Sequence, residues 1–243
     1  MRIKQLMKLV AVLSGGAFLG ACDNDSPPTT NPEPPPPPPV SYSVSVTNLT
    51  NAQPLSPIAV IAHQSGYSMF TIGSAGTVGL ETMAEGGDNS ALISEADANS
   101  NVSSTASGAA PIGPAGSETV TLSAPNAQRP FLRISVAGML VNTNDAFVAV
   151  NAWPVDTMAI GDVVTVNAIA YDAGTEDDTE SAATIPGPAG GGEGFNATRD
   201  DGADQVGMHA GVVSGDDGLD TSDLTEQHRF DNPVARIRIE RTN

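Results

Sequence analysis

Two short acidic segments are where this sequence concentrates side chains able to do chemistry. Tyr171-Asp172-Ala173-Gly174-Thr175-Glu176 and Asn142-Thr143-Asn144-Asp145 each follow a run with strand-like composition, so their carboxylates fall on loops. The Ala-Gly-Thr spacer between Asp172 and Glu176 is small and bendable, which lets two carboxylates turn toward one point. Asp145 can approach that point from a neighbouring loop. Hard oxygen donors converging in this way suit Ca²⁺, which takes about 6–8 oxygens, many of them backbone carbonyls and waters. Asp also starts turns by hydrogen-bonding its own backbone, so spacing alone leaves the metal and turn readings both open.

Other chemistries find less support. His63 lies in an apolar strand-like run, where a hydrogen-bonded core histidine is expected, and His209 and His228 sit in loops with no cysteine or histidine at zinc spacing. There is no Gly-x-Ser-x-Gly elbow. A hydrolase using carboxylates and a loop histidine is therefore the least supported class, and the protein is not expected to be an enzyme. The acidic run at 215–223 departs from the EF-hand pattern of alternating ligands before a glycine and reads as a solvated loop. Trp153, the single tryptophan, is open to a core, rim or sugar-platform reading.

The first residues predict export. Arg2, Lys4 and Lys8 precede an apolar stretch at 9–19, and Leu19-Gly20-Ala21-Cys22 closes it with small residues. A membrane-spanning helix needs about 20 apolar residues; this stretch is shorter and is interrupted by Ser14, Gly15 and Gly16. Residues 1–21 are read as a cleaved lipoprotein signal. This start resembles that of bacterial lipoproteins, in which a cysteine at the place of Cys22 becomes the lipidated N-terminus; a leftover free thiol is the alternative. As the single cysteine, Cys22 cannot be half of an internal disulfide. The expected location is the bacterial cell envelope, lipid-anchored, with periplasmic and surface-facing placements both open. Cleavage removes three of the 10 basic residues and none of the 28 acidic ones, leaving 7 against 28, a net charge of −21. Such a surface repels phosphate backbones and excludes nucleic acid as a partner.

Residues 22–40 include an unbroken proline run at 34–39 and read as an extended stalk. From 41 to 243 the periodicity is that of strands. Tyr42, Val44 and Val46 alternate with Ser and Thr, and a near-continuous apolar run follows at 57–63. Further strands are expected at 120–122, 131–140, 146–150 and 163–171, with a last amphipathic one carrying Ala235, Ile237 and Ile239 on one face. One short helix is expected at 79–85, stopped by Gly86-Gly87. Residues 89–116 and 173–232 are poor in structure-forming types. The fold class is all-β: a single antiparallel sandwich with long loops.

In order along the chain, Tyr42-Ser43-Val44-Ser45-Val46-Thr47-Asn48-Leu49-Thr50, Gln53, Ser56-Pro57, His63 and Ala84-Glu85-Gly86-Gly87-Asp88 resemble the spondin N-terminal domain. So do Met139-Leu140-Val141-Asn142-Thr143-Asn144-Asp145-Ala146-Phe147, the 171–176 segment and Asn232-Pro233-Val234-Ala235-Arg236-Ile237. The resemblance implies a β-sandwich similar to the C-two-type calcium and phospholipid-binding modules, with calcium held at one end by loop carboxylates. Carried onto this chain, the ligand positions are Asp145, Asp172 and Glu176. The animal domains have Asp where Glu176 stands, and Asp177 and Asp178 follow at once, so the third ligand is open among these three. The animal domains also use a disulfide that a single cysteine cannot form.

The function expected from these features is that of a membrane-anchored, calcium-binding domain that mediates an adhesive or envelope contact. Its ligand would be a glycan, a protein or an anionic headgroup. The alternative is a purely structural calcium with no specific ligand.

Overall fold

Alternation of small polar with branched or aromatic residues makes β1 (Val40–Asn48) a strand with one wet face: Tyr42, Val44 and Val46 are fully buried and the serines between them are not. The computed structural model describes residues 33–199 and 202–243, so the expected signal segment and Cys22 lie outside the described residues. Residues 33–39 are exposed and carry no regular secondary structure. Residues Pro37–Asn243 form one compact unit.

After β1 come β2 (Ala59–His63), α1 (Val78–Gly86), α2 (Ser90–Asp97), β3 (Val102–Ser107), β4 (Ser117–Ala124), β5 (Arg133–Met139), β6 (Ala146–Pro154), β7 (Val163–Asp172), β8 (Gly207–Met208) and β9 (Ala235–Arg241). Every strand pairing is antiparallel, in the order β3-β2-β5-β6-β7-β9-β1-β4, with β8 added beside the end of β7. The all-β sandwich expected from the sequence is the fold observed. Its two sheets share one strand. The first half of β7, Val163 to Ala168, pairs with β9, and its second half, Ile169 to Asp172, pairs with β6. A strand that bends from one sheet into the other closes that side of the sandwich without leaving a free edge.

The sheets enclose the larger core, built from Tyr42, Val44 and Val46 of β1, Ile134 and Val136 of β5, and Ile237 and Ile239 of β9. A second core lies on the outer face of the β2-β5-β6 sheet. There Ile61, Ala137 and Phe147 meet Leu80 and Met83 of α1 and Leu92 and Ala96 of α2. That second layer explains why β2 is apolar at nearly every position: both of its faces are covered, so alternation disappears. The expected helix is α1. Its N-cap Thr77 accepts from the Leu80 N–H, and it ends at Gly87, whose φ of +72° lets its N–H reach the Met83 carbonyl. The sequence reading did not anticipate α2 or β3 in the 89–116 stretch. Among the described residues no helix is long and apolar enough to cross a membrane.

Leu80 is fully buried in the second core. Leu80→Ala should cost about 2–5 kcal/mol in urea denaturation, the usual range for a leucine deleted from a packed interior. A loss under about 1 kcal/mol would show that the helices are not an integral layer.

Candidate metal centre

Strand register brings the two sequence-predicted loops together. Asp172 is the last residue of β7 and lies opposite Ala146, the first residue of β6, so Asp145 is one step from the end of its neighbour's partner strand. The turn before it is fixed by Thr143, whose hydroxyl donates to the Leu140 carbonyl at 2.6 Å and accepts from the Ala146 N–H at 3.1 Å. Beyond β7 the chain must reverse sharply. Gly174 has φ +75°, and a Cβ there would stand 2.4 Å from the Gln205 carbonyl oxygen, so glycine is required. Asp172 Oδ1 accepts from the Gly174 N–H at 2.6 Å, and the reversed loop lays its next amides on Asp145.

Asp145 is fully buried. Its Oδ2 accepts from the Thr175 N–H at 2.8 Å, the Thr175 hydroxyl at 3.2 Å and the Glu176 N–H at 3.1 Å. Its Oδ1 is buried without any hydrogen-bond partner. One carboxylate oxygen from each of Asp145, Asp172 and Asp178 lies within 4.8 Å of the others, in a gradient from buried through half-buried to exposed. No arginine among the described residues pairs with these three. The donor set is three carboxylates, the innermost with one buried oxygen that no hydrogen bond satisfies, which fits a hard divalent cation.

Two of the three sequence-predicted ligands, Asp145 and Asp172, are in this cluster, and Glu176 is not. Its carboxylate turns the other way, where Oε1 accepts from the Nε of Arg199 at 2.8 Å and from Nη2 of the same guanidinium. Its Oε2 accepts from the Asn144 amide at 3.3 Å. Asp178, one of the two alternatives for the third position, stands in the cluster instead. Sequence reasoning missed Arg199, which also holds Glu193 at 2.9 Å, and Glu180, which is buried and accepts from the Val213 N–H at 3.2 Å. Neither residue has a local motif. His209 appeared in the sequence as a loop histidine without zinc spacing; it is buried, with Nε2 3.4 Å from Asp178 Oδ1. His63 is the expected core histidine, with Nε2 2.8 Å from Ser135 Oγ. Trp153 lies toward the far end of β6, roughly 25 Å along the strand from Asp145. It is no platform beside this cluster.

Burial and mutual repulsion set the protonation of the cluster. Burial, aided by the charge of Asp172, raises Asp145 to about 7 against the pull of the Thr175 and Glu176 amides. Burial and the charge of Asp178 also raise Asp172, and burial lifts Glu180 to about 7. A carboxyl whose folded pKa lies above its unfolded value binds its proton more tightly in the fold. Its stabilising effect is complete below the unfolded value near 4 and is lost as pH rises through about 7. In chelator, the melting temperature should therefore fall by several degrees between pH 5 and pH 8. Asp145→Asn should remove part of that fall, the rest staying with Asp172, Glu176 and Glu180, which burial also raises, whereas repulsion spread over the whole acidic surface would leave it intact.

A family model described as Spondin_N matches residues 47–186, from within β1 to beyond Asp178. No curated protein matches the chain significantly. The match covers more than half of the sequence and includes all three clustered carboxylates, and the chain belongs to the spondin N-terminal domain family.

Proposed function

We propose that this domain binds calcium through Asp145, Asp172 and Asp178, and that the end of the sandwich so ordered makes an extracytoplasmic contact. The observation that carries the calcium reading is the buried, unpartnered Oδ1 of Asp145 beside two further carboxylates. A bound ion would neutralise three charges that repel one another and tie the loops after β5 and β7 together. The burial gradient supports a role beyond stabilisation, because Asp178 lies at the exposed side of the cluster and its side chain is 38% accessible. With carboxylates from only three residues, Ca²⁺ keeps coordination positions for water or for an oxygen of a partner. A glycan, a protein or an anionic headgroup can each supply such an oxygen. The reading includes tethering to a bacterial membrane through lipidated Cys22, and no catalysis.

Calorimetric titration with millimolar calcium tests the metal. The affinity expected of an extracellular module is on the order of 0.1–1 mM. At calcium tenfold above its dissociation constant, linkage gives about 1.4 kcal/mol, which for a domain of this size raises the melting temperature by roughly 3–6 °C. Asp172→Ala should abolish that rise, and an unchanged rise in this variant would overturn the assignment.

Asp145→Asn separates a metal site from a merely structural aspartate. Its amide oxygen can keep the three donors at Oδ2 while its NH₂ faces the neighbouring carboxylates. At pH 8 in chelator this variant should be at least as stable as the parent, and it should gain nothing from calcium. Retention of the protein on envelope or polysaccharide fractions, with and without chelator, distinguishes a calcium-dependent contact from a structural ion alone.

A further inference from the structure

We propose that His209 is the positioning residue of this centre: it holds Asp178 over Asp145 and Asp172, and so sets metal affinity without touching the ion. The inference rests on the calcium reading above. Asp178 is the most exposed of the three carboxylates and stands on a loop, so something must fix where it points. Among the described residues its polar partner is His209, whose Nε2 lies 3.4 Å from Oδ1.

The histidine is far better anchored than the aspartate it faces. Its side chain is 1% accessible, its ring packs against Phe230 at 5.5 Å between centroids, and its backbone N–H donates to the Ala170 carbonyl of β7 at 3.2 Å. Nδ1 accepts from the Gly211 N–H at 2.9 Å, which places the hydrogen of the neutral ring on Nε2. In the neutral and the charged ring alike, Nε2 is therefore a donor. A nitrogen that carries hydrogen has no lone pair for a cation. Nε2 is buried and makes no hydrogen bond in the fold as it stands. A buried donor left without a hydrogen bond and held at ion-pair distance from a loop carboxylate is satisfied when that carboxylate closes on it. Outer partners of metal ligands act in this way, and their loss costs roughly 10–100-fold in metal affinity.

The test is calcium titration by calorimetry on the full chain and four variants. His209→Asn keeps an acceptor near the Nδ1 position for Gly211 but deletes the Nε2 donor; it should weaken calcium binding roughly 10–100-fold. His209→Gln reaches further with its amide and should restore part of that loss, which a purely structural role would not predict. Asp178→Asn should weaken binding, and adding His209→Asn to it should bring no further change. His209→Phe, which keeps the packing against Phe230, serves as the second deletion variant if His209→Asn does not fold. Parental affinity in the deletion variant, or an equal loss on both Asp178 backgrounds, overturns the inference while leaving the calcium site in place. Absence of calcium binding by the parent chain overturns both.

Discussion

A buried carboxylate that the fold satisfies on one oxygen and leaves bare on the other governs this end of the molecule. Asp145 Oδ2 collects three donors from Thr175 and Glu176, and Oδ1 collects none. An ion taken out of water without full compensation is among the costliest arrangements a protein can hold, and two neighbouring carboxylates raise that cost. The same three donors are what organise the loop after β7, so the costly group and the ordered loop cannot be separated. Two relieving agents are available, a proton or a cation. The raised pKa of Asp145 expresses the first, and the proposed calcium is the second. Because both act on the same oxygens, they compete, and metal binding would release protons.

The geometry that creates this problem is set by β7. Its first half belongs to the β9-β1-β4 sheet and its second half to the β6-β5-β2-β3 sheet, so its last residue is held by pairing on both sides, with Ala146 of β6 and Gly207 of β8. Asp172 is thus on a rigid strand end while Asp178 is on a loop. The end of a rigid strand supplies Asp172, the tight turn between β5 and β6 supplies the buried Asp145, and a longer loop supplies the exposed Asp178. The second core reinforces the rigid part, since Phe147 and Tyr171, one residue inside each strand end, stack at 5.6 Å between centroids beneath the helices.

Much of this was legible before the structure. Alternation in 42–46 and 235–239 identified β1 and β9 because each has one wet face, and the periodicity is then unambiguous. The stretch holding α2 and β3 was not legible. Only Leu92 and Ala96 of α2 are buried, and β3 is a Ser- and Thr-rich edge strand with no fully buried position, so neither produces an apolar period. The site divided in the same way. Asp145 and Asp172 follow recognisable strand ends, and the family's order of motifs identified them. The choice among Glu176, Asp177 and Asp178 depends on how a glycine-containing loop turns, which no pattern of residue types encodes. Arg199 and His209 lie 23 and 31 residues from Glu176 and Asp178, respectively, outside the matched segment, and reach them only through the path of the 173–232 coil.

The difference between Glu176 and the aspartate of the animal domains now has a physical account. Its backbone N–H remains on Asp145, so the residue cannot leave the loop, but its longer side chain carries the carboxylate over to the Arg199 guanidinium. Arg199 in turn lies between Glu176 and Glu193, and Glu85 adds its charge from the end of α1. The acidic loop is thereby split into two parts with different neutralising partners. Glu176 pairs with Arg199 within the chain, although burial still holds its carboxyl up at about 7, whereas Asp145, Asp172 and Asp178 have no arginine partner among the described residues. The longer side chain thus sets the Glu176–Arg199 pair, which shapes the loop, apart from the three clustered carboxylates.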